Sequence, residues 1–219
     1  MISKIDTLDK SQDRSMDLRN YKQPFHAIRD FEQAVAEYTN APYCIATDSC
    51  THAIEMVFRA KPPENKVKFT GITYLSVLMT MHKLDIDYAL TDQTWEGEYL
   101  FEGTNVFDSA RRFEKGMYRT GYIQCCSFGR TKPLEIGRGG CILTDNCDVA
   151  QTVYEMRYDG RQLYDYDRWP DQKVFRVGYH YYMKPEDAII GLTKLANQDF
   201  VKQKPEFYNY PDCRNIQIV

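Results

Sequence analysis

From His26 onward, apolar residues recur at helical spacing. Ile28, Phe31, Ala34, Val35 and Tyr38 line one predicted face, and the turn signal Asn40-Ala41-Pro42 ends the helix. A short apolar run at 43–46 predicts a strand. Ser49 or Cys50 then opens a second helix with Ala53, Ile54, Val57 and Phe58 on one side, closed by Lys61-Pro62-Pro63. Residues 66–70 and 86–90 read as strands around a helix at 74–83, in which Leu75, Leu78, Met79 and His82 group together. Alternation of this kind predicts an α/β protein with a parallel sheet. Further strands are expected at 105–107, 122–125 and 141–144, and further helices at 148–158 and 185–196. The aromatic, charged stretch 161–171 reads as an ordered surface or interface loop.

Residues 1–22 are polar and aperiodic and are expected to form an arm that orders against a partner. The main domain is expected over 23–198, followed by a tail at 199–219. The 219 residues are 43% hydrophobic and 27% charged, with 17 Tyr and 11 Phe, as in a packed globular chain. Net charge is -3 and the basic residues are dispersed, so no nucleic-acid partner is expected. The seven cysteines form no CxxC pair, and neither they nor the four histidines fall at metal-ligand spacings. Reduced thiols in a cytoplasmic compartment and no metal are therefore expected. No apolar run approaches the roughly 18 to 20 residues that cross a bilayer, and the polar N-terminus suggests no secretion signal, so no membrane partner is expected.

In open parallel sheets ligands bind beyond the carboxyl ends of strands, and four such places carry polar groups. Asp48-Ser49-Cys50-Thr51 joins a strand to a helix, where free N–H groups and hydroxyls suit a phosphate. Asp108 follows the strand 105–107 and can pair with a buried cationic heterocycle. Ser127 to Lys132 supplies a hydroxyl, a guanidinium and an amine after the strand at 123–126. Gly137-Arg138-Gly139-Gly140 allows a tight turn or close approach before the strand at 141–144. Singly, these have ordinary readings as a helix cap, a strand-end carboxylate, a solvated lysine and a loop.

In order along the chain, they resemble the DegT/DnrJ/EryC1/StrS sugar aminotransferases, which are fold-type I pyridoxal phosphate (PLP) enzymes. The segment CSFGRTKPLEIGRGGCILTD at 126–145 resembles the family's S-F-x-x-x-K-x-L, G-x-GG and strand ending in T-D. YCIATDSCTHAI at 43–54, Asp108-Ser109-Ala110-Arg111 and GYHYYMKPEDAIIGLTKL at 178–195 resemble its other landmarks. The resemblance implies a three-layer α/β sandwich with a mostly parallel central sheet and a C-terminal small domain largely absent, the tail being its remnant. It also implies Lys132 as the Schiff-base lysine, forming the internal aldimine, and Asp108 as partner of the pyridinium nitrogen. Ser49, Cys50, Thr51 and Ser127 are implied in binding the cofactor, chiefly its phosphate, and Tyr74 in stacking on the ring, although Tyr74 also suits a core aromatic at a helix start.

Arg111 stands in place of a Gln near the phenolic oxygen, and Arg138 in place of a Glu. His180 stands in place of an Asn that reaches the phosphate across a homodimer interface, and equally suits a packed surface histidine. One βα unit between Leu90 and Asp108 is expected to be missing. The implied activity is transfer of an amino group from an amino-acid donor to a nucleotide-linked keto sugar or similar small keto substrate. Lys132 argues against the dehydratase branch, which carries histidine there. The alternatives are a non-catalytic binding or assembly subunit, and a PLP-dependent decarboxylase or lyase.

Overall fold

The structure is a computed structural model, described over residues 16–164, 168–201 and 210–217. Most of the arm expected at 1–22 and part of the tail expected at 199–219 lie outside the described residues. Each predicted helix forms, α1 (His26–Thr39), α2 (Cys50–Ala60) and α5 (Pro185–Ala196) with the expected ends and α3 (Leu75–Lys83) and α4 (Cys147–Met156) with ends shifted by one or two residues. The α1 helix ends where Asn40 takes up the left-handed conformation, φ 61°, and its N–H caps Ala36 O. The strands are β1 (Tyr43–Thr47), β2 (Val67–Thr70), β3 (Tyr88–Thr91), β4 (Tyr99–Phe101), β5 (Val106–Ser109), β6 (Ile123–Ser127) and β7 (Gly140–Thr144).

The first sheet runs β1-β7-β6-β5-β4, and β2 pairs with β3. Lys68 of β2 and Glu102, just after β4, exchange backbone hydrogen bonds of 3.1 and 2.8 Å, which carries the layer on into the second sheet. Strands β1, β2, β3, β5 and β6 run one way, while β4 and β7 run the other. The mostly parallel sheet thus holds for strand direction but not for neighbours: only β5–β6 and β2–β3 pair in parallel. The gap expected between Leu90 and Asp108 holds a strand after all. That stretch is too short for a crossover helix, so β4 returns antiparallel beside β5 instead.

Side chains alternate across the layer. Cys44, Ala46, Cys126, Cys141 and Leu143 pack towards α1 and α5, whereas Ile45, Ile123, Cys125 and Ile142 pack with α2, α3 and α4. Burial on both faces explains why these strands read as continuous apolar runs. All seven cysteines are free, and every one except Cys147 is buried.

Since β1 is an edge strand, Ala46 presents peptide groups that β7 cannot reach. Its N–H donates to Glu32 Oε1 at 2.6 Å, and its carbonyl accepts from Arg157 Nη1 at 2.7 Å. Glu32 and Arg157 also pair directly, Tyr164 donates to Glu32 Oε2 at 2.7 Å, and the Arg157 guanidinium lies 5.0 Å from the Tyr154 ring centre. This buried pair ties α1, β1 and the end of α4 together. Removing one partner strands a charge, so Glu32→Ala is expected to cost about 3 to 5 kcal/mol. An apolar Glu32→Leu/Arg157→Met replacement remains destabilised, because the Ala46 groups lose their partners as well. Urea unfolding midpoints check both, and a double variant as stable as the parent would refute the role given to Ala46.

Candidate active site

Helix α2 starts where β1 ends. Ser49, its N-cap, is extended (φ -164°, ψ 155°) and its hydroxyl accepts from the His52 N–H at 3.2 Å. The free amides of this first turn form a positive end suited to an anion. Cys50 turns its thiol inward, towards the Cys125 carbonyl at 3.5 Å, and burial together with the Asp108 charge pushes that thiol well above its usual range. Cys50 therefore faces the site with backbone rather than with a reactive sulfur. Thr51 shares a 2.7 Å hydrogen bond with Ser76, at the start of α3. Asp48 bonds His52 Nδ1 at 2.6 Å and accepts from Arg138 Nη2 at 3.2 Å, which offsets a carboxylate close to the anion-seeking end.

Asp108 lies within β5 rather than after it, directly opposite Tyr99 of β4. The Ala110 N–H donates to Oδ1 and the Tyr99 hydroxyl to Oδ2, each at 2.9 Å; Thr73 in turn pairs with Tyr99 at 2.7 Å. Burial pushes the Asp108 carboxyl above the usual range, against the pull of these two donors and of the Lys132 charge. The carboxylate is held rigidly, and only part of its desolvation is compensated.

Ser127 closes β6, and the chain then loops back to β7. The Gly129 N–H meets the Ser127 hydroxyl at 3.5 Å, and Lys132 N–H donates to Gly129 O at 3.2 Å, forming a tight turn in which Thr131 has φ 68°. Lys132 Nζ points to the Tyr210 hydroxyl at 3.3 Å, which also accepts from Arg111 Nε at 3.0 Å.

These groups share one cavity of about 410 Å³. Ser49, Cys50, Thr51, Tyr74, Asp108, Arg111, Ser127 and Lys132 all line it, so the structure gathers eight of the nine residues singled out by the sequence. Tyr74 stands at its rim, 61% exposed. His180 does not join them: its side chain is 69% exposed and contacts Asp159 at 3.2 Å. Sequence reasoning missed Trp95 and Tyr210, which also line the cavity, and Tyr99, which holds Asp108. The signal for Tyr99 was its placement nine residues before Asp108, the spacing of a tight antiparallel return.

The order β1-β7-β6-β5, with helices on both faces and the cavity beyond the ends of β1, β5 and β6, defines a three-layer α/β fold. Helicobacter pylori PseC, an aminotransferase involved in the biosynthesis of pseudoaminic acid, matches with TM-score 0.67 and 15% identity, over 83% of this chain and 61% of that one. Bacillus subtilis NtdA, solved with bound cofactor PMP, matches with TM-score 0.65 and 19% identity, over 77% of this chain and 47% of that one. Among curated sequences, the UDP-4-amino-4,6-dideoxy-N-acetyl-beta-L-altrosamine transaminase of Campylobacter jejuni is 19% identical over 84% of this chain and 61% of its own length. The model of the DegT/DnrJ/EryC1/StrS aminotransferase family matches residues 8–92 and 111–210, and the chain belongs to that family. It spans about 61% of the length of the Campylobacter relative. The family match breaks off over 93–110, the stretch that holds β4, β5 and Asp108.

Because the Asp108 carboxyl is raised in the folded protein, its stabilising contribution is complete below the unfolded value near 3.8 and is lost as pH rises through the folded value. Asp108→Asn removes that loss. Without added ligand, the variant is expected to melt at or above the parent temperature at pH 7.5, with the difference shrinking towards pH 4. Thermal melts across this range check it; a destabilisation independent of pH would contradict the burial account.

Proposed function

We propose that the chain binds pyridoxal phosphate in this cavity and transfers an amino group from an amino-acid donor to a nucleotide-linked keto sugar or similar small keto compound. The observation that carries the reading is the convergence, in one cavity, of the Lys132 amine, the buried Asp108 carboxylate and the N-terminus of α2. The donor set fits the cofactor's three polar features: a phosphate, a basic ring nitrogen and an aldehyde. When bound, PLP supplies a carbonyl for covalent attachment and a ring that accepts an electron pair from the substrate. The α2 amides with Ser49, Thr51 and Ser127 would hold the phosphate. Asp108, anchored by Tyr99 and Ala110, would keep a proton on the ring nitrogen. Lys132 would hold the cofactor and move the proton at the substrate's Cα, its amine being both an imine former and a base.

Tyr74 and Trp95 would wall the ring, and Arg111 would face its phenolic oxygen. The names of the relatives support the substrate class: the Campylobacter protein is a UDP-amino-sugar transaminase. We place the reaction in a homodimer, with His180 facing the partner's phosphate site, and in the cytoplasm; among the described residues, no helix is long and apolar enough to cross a membrane.

Titrating the protein with PLP tests this reading. A near-visible absorbance band is expected, which borohydride bleaches while a pyridoxyl mass appears on the Lys132 peptide; Lys132→Ala loses both, and Asp108→Asn binds at least ten-fold more weakly. No band in the parent protein at high PLP would remove the cofactor reading and leave a binding or assembly subunit. A band without amino transfer to keto sugars would leave a decarboxylase or lyase.

A further inference from the structure

The residues 210–217 form a built part of the site. Cys213 is buried; its N–H donates to Gly71 O at 2.8 Å, and its thiol faces Thr73 O at 3.6 Å. Arg214 pairs with Asp212 at 2.7 Å and with Asp92, and its side chain fills the space where a Cβ at Gly71 would sit. This anchorage delivers Tyr210 to the cavity. Its ring stacks on Trp95 (centroids 5.9 Å apart, planes 16°) and meets Tyr74 edge-on at 6.2 Å. Its oxygen accepts from Lys132 Nζ at 3.3 Å and from Arg111 Nε at 3.0 Å, with the Arg111 guanidinium 5.4 Å from the ring centre.

Two side chains that ordinarily repel each other thus meet at one hydroxyl oxygen. An acceptor placed this way fixes the amine by taking one of its N–H groups in a hydrogen bond. Attachment to an aldehyde takes the amine out of that contact: the nitrogen lone pair forms a bond to the carbonyl carbon, the carbon–oxygen bond breaks, and the oxygen leaves as water carrying the two protons of the neutral amine.

We propose that Tyr210 is a positioning residue that holds Lys132, together with Arg111, until an incoming aldehyde takes the amine over. The ring clamp on Trp95 sets where the oxygen stands, and the oxygen exerts the hold. This rests on the reading of Lys132 as the amine that receives PLP.

The test uses the full chain and a probe independent of PLP: reductive methylation by formaldehyde and cyanoborohydride, in which the hydride reduces the carbon–nitrogen double bond. Peptide mass spectrometry reads Lys132 against exposed Lys115 in the same molecule. Tyr210→Phe keeps the ring and its stacking but removes the oxygen. Methylation of Lys132 is expected to rise about five-fold relative to Lys115, the factor that an ordinary net hydrogen bond represents, and Tyr210→Ala to match it. If only Tyr210→Ala accelerates the reaction, the ring acts as cover and the hold is refuted; unchanged rates in both, with parent-like melting, refute it too. PLP with borohydride on the same proteins separates the two readings. Labelling of Lys132 at equal rates in all three, with unchanged methylation, would keep the cofactor and reject the hold. A methylation response without any PLP labelling would keep the hold and reject the cofactor.

Discussion

The site depends on how closely two stretches of backbone approach at Gly140. A Cβ there would lie 2.5 Å from Cys50 N, 2.7 Å from the Ser49 carbonyl carbon and 2.8 Å from Cys126 O. Any side chain would push β7 away from the α2 N-terminus and from the end of β6 together. At Gly139, φ is 131° and a Cβ would meet Met183 Cε at 2.8 Å, so this position too excludes other residues. With β7 pinned, the loop from β6 must close on itself. Phe128 N–H donates to Gly139 O at 2.9 Å, and the Ile136 and Gly137 amides return to Phe128 O at 2.9 and 3.1 Å. The tip of that loop carries Lys132 over the first turn of α2. The amine and the anion-seeking helix end face one cavity because two glycines let the strands meet.

The charges in the cavity are unbalanced in a way that selects a ligand. Arg111, Arg130, Lys132 and Arg138 line it, against Asp108 and the nearby Asp48, although the whole chain carries -3. Asp108 is buried beyond what its hydrogen bonds offset, while the cations and helix amides face the opening. A molecule with a phosphate at one end and a protonated ring nitrogen at the other relieves both conditions. An inorganic anion would satisfy only the first. The charge pattern is therefore compatible with the cofactor proposed from the family likeness.

Much of this could be read from the chain. Strands buried on both faces are apolar runs, each helix has its periodic face and punctuation, and the segment from Ser127 to Gly140 holds loop, lysine and glycines in one stretch of sequence. What escaped reading has physical reasons. β4 spans only Tyr99–Phe101, too short for an alternating pattern to stand out. Glu32 and Arg157 are far apart in sequence, and nothing local marks either as buried. Tyr210 lies in a tail without periodicity, and its place comes from Cys213 and Arg214 meeting Gly71, Thr73 and Asp92. His180 lies away from the cavity because the β1 edge and Tyr158, with which it forms a bridge, hold its segment at the surface.

The stretch that departs from the family pattern builds the surroundings of Asp108. With no room for a crossover helix between β3 and β5, the chain turns back as β4, and antiparallel register sets Tyr99 opposite Asp108. The Tyr99 hydroxyl then reaches the carboxylate and is itself tied to Thr73, while Trp95, its indole N–H on the Ile72 carbonyl at 2.7 Å, forms a wall of the cavity. An ordinary βα crossover would have placed a parallel neighbour beside β5, with a different set of side chains across from position 108. Loss of family likeness over 93–110 is thus no loss of surroundings for Asp108. The short return rebuilds them from its own tyrosine and tryptophan, and the same tryptophan provides the surface on which Tyr210 rests.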